Sequence, residues 1–182
     1  MGKIMHIHHV KKLAFRSASA LAALPLLFSA SAFSATPEPV DVTVTFVEAI
    51  TITEVNALDF GLLDSTMANT ETVAIDTADG TTDGGANIVG GTQEAAEVTI
   101  TATAGVAVTL LVNNVTDGTH YTLASFVCNY NGAGESGCDG GGQANTSVAS
   151  ATVLIGATLT RNAVAMTAGV DNGSFDINMT YD

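Results

Sequence analysis

The side chains that could do chemistry in this chain are mostly carboxylates, and few bases accompany them. The sequence holds 18 Asp and Glu residues against 5 Lys and Arg residues and 4 histidines. Glycoside hydrolysis by paired carboxylates, or attack by an activated nucleophile, requires partner groups within reach of one another. The acids are scattered, and nearly all fall at predicted turns or on polar strand faces. We therefore interpret them as solvated surface groups, and we predict no enzymatic activity and no cofactor.

One loop rich in aspartate and glycine is a candidate metal site. It contains Asp76, Asp79 and Asp83, and calcium takes six to eight oxygen ligands of the kind that such a loop supplies. The acids do not fall at the alternate positions of an EF-hand. The spacing favours a polar surface loop, with calcium binding as the weaker alternative.

Residues 1–32 are predicted to be a cleaved secretory signal peptide. They contain four of the five basic residues and no acid, followed by a short apolar run and an Ala-Ser-Ala site that ends at Ala32. Removing them leaves Arg161 as the one Lys or Arg against eighteen acids, a formal charge of −17. Such a surface repels nucleic acid and anionic lipid, because phosphate binding needs clustered cations. We expect a secreted protein that does not insert into the membrane and does not bind nucleic acid.

The two cysteines are predicted to form a disulfide. Cys128 and Cys138 enclose a short, glycine-rich loop that can bring the two sulfurs together, and disulfides form in secreted proteins. A zinc site would need further ligands, and His120 is the one histidine outside the predicted signal peptide.

The elements that must carry these residues are β-strands. Apolar side chains recur at every second position through most of residues 33–182, with turn signals such as Asn-Gly between the runs. This pattern predicts one all-β domain, an immunoglobulin-like antiparallel β-sandwich. The runs nearest the two ends have their apolar residues at Val40, Val42, Val44 and Phe46, and at Phe175, Ile177, Met179 and Tyr181.

Two stretches resemble the bacterial DUF4402 family. "ITITEVNALDFGLL" at residues 50–63 is similar to an I-T-I-x-x-x-x-x-L-x-F-G signature, and "ASATVLIGATLTRNAVAMTAGVDNGSFDINMTYD" at residues 149–182 is similar to the C-terminal half of the family. The family is similar in turn to fimbrial subunits and adhesins of immunoglobulin-like fold. Some of those proteins are assembled by a periplasmic chaperone and an outer-membrane usher through donor-strand exchange.

The resemblance implies a structural subunit or adhesin of a surface fimbria, with other copies of itself or related pilins as partners. Phe175, Ile177, Met179 and Tyr181 would then contact the chaperone or a neighbouring subunit. The segment "VDVTVTF" would be either a donated strand or the first strand of a complete fold. Alternatively, the last strand simply pairs within its own sandwich, with Tyr181 as a packing residue. The alternative function is a monomeric secreted binding module for carbohydrate or a surface protein, in which the N-terminal strand at Val40 to Phe46 pairs within its own sheet.

Overall fold

The structure is a computed structural model that describes residues 41, 43–78, 82–83, 87–166 and 168–182, with the backbone alone at 82–83. The predicted signal peptide, Val40, Val42, Asp79 and the side chain of Asp83 lie outside the described residues. Residues Val44–Asp182 form one compact unit.

Short antiparallel strands joined by turns make up this unit, as the period-two pattern predicts. Glycines and asparagines with positive φ occur at several of the turns, including Gly105 and Asn131. The strands are β1 (Thr51–Asn56), β2 (Leu62–Leu63), β3 (Thr72–Ile75), β4 (Thr82–Asp83), β5 (Ile88–Gly90), β6 (Ala96–Thr101), β7 (Ala107–Thr116), β8 (Tyr121–Tyr130), β9 (Glu135–Gly137), β10 (Gln143–Thr146), β11 (Ser150–Arg161) and β12 (Ser174–Tyr181).

The larger sheet is organised around β11. On one side β11 pairs with β6 through residues 150–155 and with β3 through residues 157–160, and on the other side it pairs with β8. Among the described strands, β1 pairs with β6 alone and is therefore an edge strand. Strand β9 pairs with β8. A second sheet has the order β10-β7-β12, and the short strands β2 and β5 form a separate pair.

The core lies between the two sheets. Alternate residues of β6, β8 and β11 face alternate residues of β7, and together they exclude water from a continuous apolar cluster. The predicted all-β antiparallel sandwich is therefore confirmed. Its most deeply buried large side chains include Ile100, Val108, Leu110, Phe126, Val153 and Ile155.

The described residues of one predicted strand do not join the sandwich. Residues 43–50 contain no strand in the described part of the chain, although "VDVTVTFV" alternates as regularly as β12. We call residues 40–47 the arm. Neither sheet of this unit pairs with the described arm residues. An alternating pattern predicts a strand with one buried face, but it does not specify which sheet that strand joins.

Candidate functional site

Strand β12 places its predicted contact residues on the inner face of the smaller sheet. Met179 is buried, with 8% of its surface exposed, and Phe175, Ile177 and Tyr181 are half-buried against the core. The ring of Phe175 lies 5.0 Å from that of Phe126, measured between centroids. These four side chains therefore take part in the fold of their own sandwich.

The backbone of β12 is paired on one side alone. It forms an antiparallel ladder with β7, and among the described residues its other edge meets no strand. Strand β1, at the edge of the larger sheet, has the same property. Unpaired edges present N–H and C=O groups that can accept another strand.

These two edges border an open cleft of about 1270 Å³. Ile52 of β1 lines one side, and Phe175 and Ile177 of β12 line the other. Val98 of β6 and Ile155 of β11 also line it. The cleft is therefore an opening between the two sheets that exposes apolar side chains of both, at the side where neither sheet has a further strand among the described residues. The other apolar residues that line it are Ala57, Leu58, Phe60, Leu62, Leu63, Met67, Val89, Ala96, Leu123, Leu159, Met166, Ala168 and Val170.

The last residues of β12 lie outside the cleft lining and join two other segments of the chain. Neither Met179 nor Tyr181 lines the cleft. The Tyr181 hydroxyl accepts a hydrogen bond from the Thr103 N–H at 2.8 Å and donates one to the Glu48 carbonyl at 3.0 Å. The tyrosine thus joins β12 to the segment that leads into β1.

One part of the cleft, which we call its polar end, is lined by His120, Tyr121, Arg161 and Asp171. The Asp171 carboxylate accepts hydrogen bonds from the N–H groups of Thr119 (2.9 Å) and His120 (2.8 Å), and its Oδ2 lies 2.8 Å from His120 Nδ1. Burial raises the pKa of Asp171, but these hydrogen bonds and the nearby His120 outweigh it and hold the pKa below its usual value. Asp171 therefore stays ionised and ties the loop before β12 to the start of β8.

Tyr121 and Arg161 also line the polar end. The Tyr121 hydroxyl donates to the Asp171 carbonyl at 3.2 Å. Burial, and then the charge of Asp171, raise the pKa of Tyr121, so it remains a donor. Arg161 donates to the Asn69 side chain and, at 3.5 Å, to the Val164 carbonyl. Tyr121 is thus joined to Asp171, whereas Arg161 is joined to the segments around Asn69 and Val164.

The described part of the arm is exposed. Val44 keeps 64% and Phe46 keeps 88% of its surface in contact with solvent. Of the arm residues 44–47, none lines the cleft, and Val47 lies in a shallow depression beside Met179 and Tyr181. The arm therefore carries apolar side chains that the sandwich does not cover.

The remaining candidates take structural positions. Cys128 and Cys138 form the predicted disulfide, fully buried in the core. Asp76 accepts a hydrogen bond from the Ala78 N–H at 3.1 Å. Within the described ranges, no group of three or more His, Cys, Asp or Glu residues is placed to hold a metal ion.

Tyr130, an aromatic residue near the disulfide loop, is buried with 3% exposed. Its hydroxyl accepts a hydrogen bond from the Val148 N–H at 3.2 Å. Tyr130 is therefore a core residue and not a surface aromatic side chain. No helix within the described residues has the length and apolarity needed to cross a membrane.

Sequence reasoning identified the inner face of β12 but missed the cleft beside it. The side chains of Ile52, Val98 and Ile155 come from three strands that are distant in sequence. Their alternation was visible, but no sequence signal indicated that they share an opening. Thr103 and Asp171 belong to no recognisable motif, because their hydrogen-bond partners Tyr181 and His120 lie more than fifty positions away in sequence.

Comparison with known proteins identifies the family. The sequence model of the family called domain of unknown function DUF4402 matches residues 50–181, so the chain belongs to this family. The match begins just before β1 and ends with β12, so it spans the whole sandwich and leaves out the arm. No curated protein and no solved structure matches the chain.

Proposed function

We propose that the protein is a secreted structural subunit or adhesin of a surface fimbria that assembles by β-strand addition. The arm of one copy enters the cleft of the next. One observation carries this proposal: a cleft with apolar walls and two unpaired strand edges occurs in the same chain as a segment of strand-forming sequence whose described residues are exposed and pair with neither sheet.

The chemistry of the two surfaces is complementary. In an extended strand, alternate side chains point to the same side, so Val40, Val42, Val44 and Phe46 would all face the cleft. The aspartate and threonines between them would face solvent. A backbone ladder supplies affinity in strand addition, and side chains that enter pockets supply specificity. Burying Phe46 alone contributes roughly 1.5–3 kcal/mol, a factor of about ten to a hundred in affinity.

This geometry also accounts for a fibre. The arm and the cleft are different surfaces, so each copy donates to one neighbour and accepts from another. Heterologous contacts of this kind produce open filaments when the rotation between copies does not close a ring. Before assembly, the apolar cleft would need a temporary cover. A periplasmic chaperone that contacts β12, followed by an outer-membrane usher, would supply the cover and the exit route to the cell surface.

The first test examines material sheared from the surface of the native host. Samples are run unboiled and boiled on a denaturing gel and blotted for this protein. A ladder of multimers that collapses on boiling is the expected result, because strand ladders resist detergent at room temperature and separate when heated. A monomer band in both lanes would contradict the proposal and favour a monomeric secreted binding module for carbohydrate or a surface protein.

A mixing experiment separates the two surfaces. Phe46→Asp impairs the arm and keeps the cleft, and Ile177→Asp impairs the cleft and keeps the arm. Each variant alone should remain monomeric, and a mixture should give a heterodimer and no longer ladder. Thr45→Asp, on the opposite face of the arm, is the matched control and should form the wild-type ladder. Ladders from either cleft or arm variant alone would rule out this pairing.

A further inference from the structure

The base of the arm is fixed by a small hydrogen-bond network. The Tyr181 hydroxyl donates to the Glu48 carbonyl, and the Glu48 N–H donates to Thr103 Oγ1 at 2.6 Å. Both backbone groups of Glu48 are therefore engaged. Thr103 is itself held, because the Ser147 hydroxyl donates to its carbonyl at 2.5 Å and its N–H donates to Tyr181.

If the proposed function is right, the arm has two possible binding sites, the cleft of a second copy and the cleft of its own chain. An arm that fits the cleft of a neighbour also fits the cleft of its own chain. Residues 48–50 alone separate the arm from β1, which borders that cleft. Loops of two to five residues commonly join antiparallel strands, so an intramolecular hairpin between the arm and β1 is within reach. A chain closed in this way would have no free cleft.

The hydrogen bonds of Glu48 oppose that hairpin. Reversing the chain direction within residues 48–50 requires new backbone torsions at Glu48, and these would break the bonds to Tyr181 and Thr103. With the bonds intact, residues 44–47 stay outside the cleft, with Val47 in the shallow depression beside Met179 and Tyr181.

We propose that Tyr181 is a positioning residue that directs the arm to a second copy of this chain and away from its own cleft. The inference rests on the proposed function, since it concerns the same arm and the same cleft. It assigns to the hydroxyl of Tyr181 a role separate from the packing of its ring against the core.

The test uses the full chain and Tyr181→Phe, which keeps the ring and removes the hydroxyl. Purified protein is separated into monomer and multimer on unboiled gels, and the monomer is digested briefly with a protease of broad specificity. We expect the ratio of monomer to multimer to rise roughly tenfold, as the loss of one or two hydrogen bonds would allow. The arm of the variant monomer should also become protected from cleavage.

Two further variants make the result specific. Thr103→Val removes the Oγ1 that accepts the hydrogen bond from the Glu48 N–H. This variant should also raise the ratio of monomer to multimer. Tyr130→Phe removes a different tyrosine hydroxyl, which accepts a hydrogen bond from the Val148 N–H and makes none with Glu48, Thr103 or Tyr181. It should leave both the ratio and the arm cleavage at their wild-type values.

The outcomes distinguish this inference from the proposed function. Wild-type multimers together with unchanged ratios and an unprotected arm in Tyr181→Phe and Thr103→Val would overturn the role of Tyr181 and leave strand addition standing. An equal shift in Tyr130→Phe would also overturn it, since any lost hydroxyl would then suffice. Absence of multimers in the wild type would overturn both. If Tyr181→Phe does not fold, Thr103→Val decides the question.

Discussion

The arm and β12 have nearly the same sequence pattern and opposite environments. Each places apolar side chains at every second position across about eight residues. In β12 this face closes the core, and Met179 is 8% exposed, whereas Phe46 of the arm is 88% exposed. The difference shows that alternation encodes the capacity for half-burial and leaves the partner unspecified. One strand finds its partner, β7, within the sandwich, and we propose that the other finds it in a second molecule.

The largest expected effect is on the free energy of unfolding of the monomer. Met179→Asp places a charge in the core and should lower that free energy by roughly 3 kcal/mol or more. Phe46→Asp changes an exposed side chain and should alter it by less than about 0.5 kcal/mol. Urea titration of both monomers measures the contrast. A comparable loss in Phe46→Asp would mean that the arm already packs within its own chain.

The disulfide should matter for the sandwich and not for the arm. Cys128 and Cys138 are 10 residues apart in sequence, and the entropy of closing a loop of this length is worth about 2.8 kcal/mol. Replacing both cysteines by alanine should lower the unfolding free energy by about that amount. Proteolysis of the arm in the folded variant should proceed at the wild-type rate. Faster cleavage of the arm would indicate that its exposure depends on the core.

A peptide with the arm sequence should bind the cleft in place of a second molecule. Binding to the folded state alone stabilises a protein by about 2.7 kcal/mol at a hundredfold excess over Kd. For a domain of this size, that corresponds to a rise in Tm of roughly 5–10 °C. Thermal unfolding with a peptide of residues 39–47 measures the shift, and a scrambled peptide is the control. Equal shifts with both peptides would argue against recognition of the alternating pattern.

The smallest effect concerns the polar end of the cleft. The pKa of Asp171 is lowered in the folded state, so its stabilising contribution is present above the unfolded pKa, near 3.8, and is lost as pH falls through the folded value. Asp171→Asn should lower the denaturant midpoint of unfolding at neutral pH. It should also make that midpoint depend less on pH below about 4. Unfolding curves at a series of acidic pH values test this. An identical acid profile in both proteins would contradict it.

Much of the fold could be predicted because its strands are half-buried. The run in β12 and the paired cysteines were both interpreted correctly from composition and spacing. The cleft could not be predicted, because it depends on which strands form the edges of the two sheets and on how those edges face each other. Ile52 and Ile177 lie 125 positions apart, and each looks like an ordinary core residue in its own strand.

Period-two alternation and the two cysteines were thus enough to establish an antiparallel all-β unit with a disulfide, since both are local properties of the chain. The arrangement in space decided what each strand meets. Strand β12 was placed beside β7, the cleft was left open between β1 and β12, and the Tyr181 hydroxyl was brought to Glu48, 133 residues away. The physical reason is that backbone edges and hydroxyl groups accept any suitably placed partner, so long-range packing chooses among partners that a local pattern treats as equivalent.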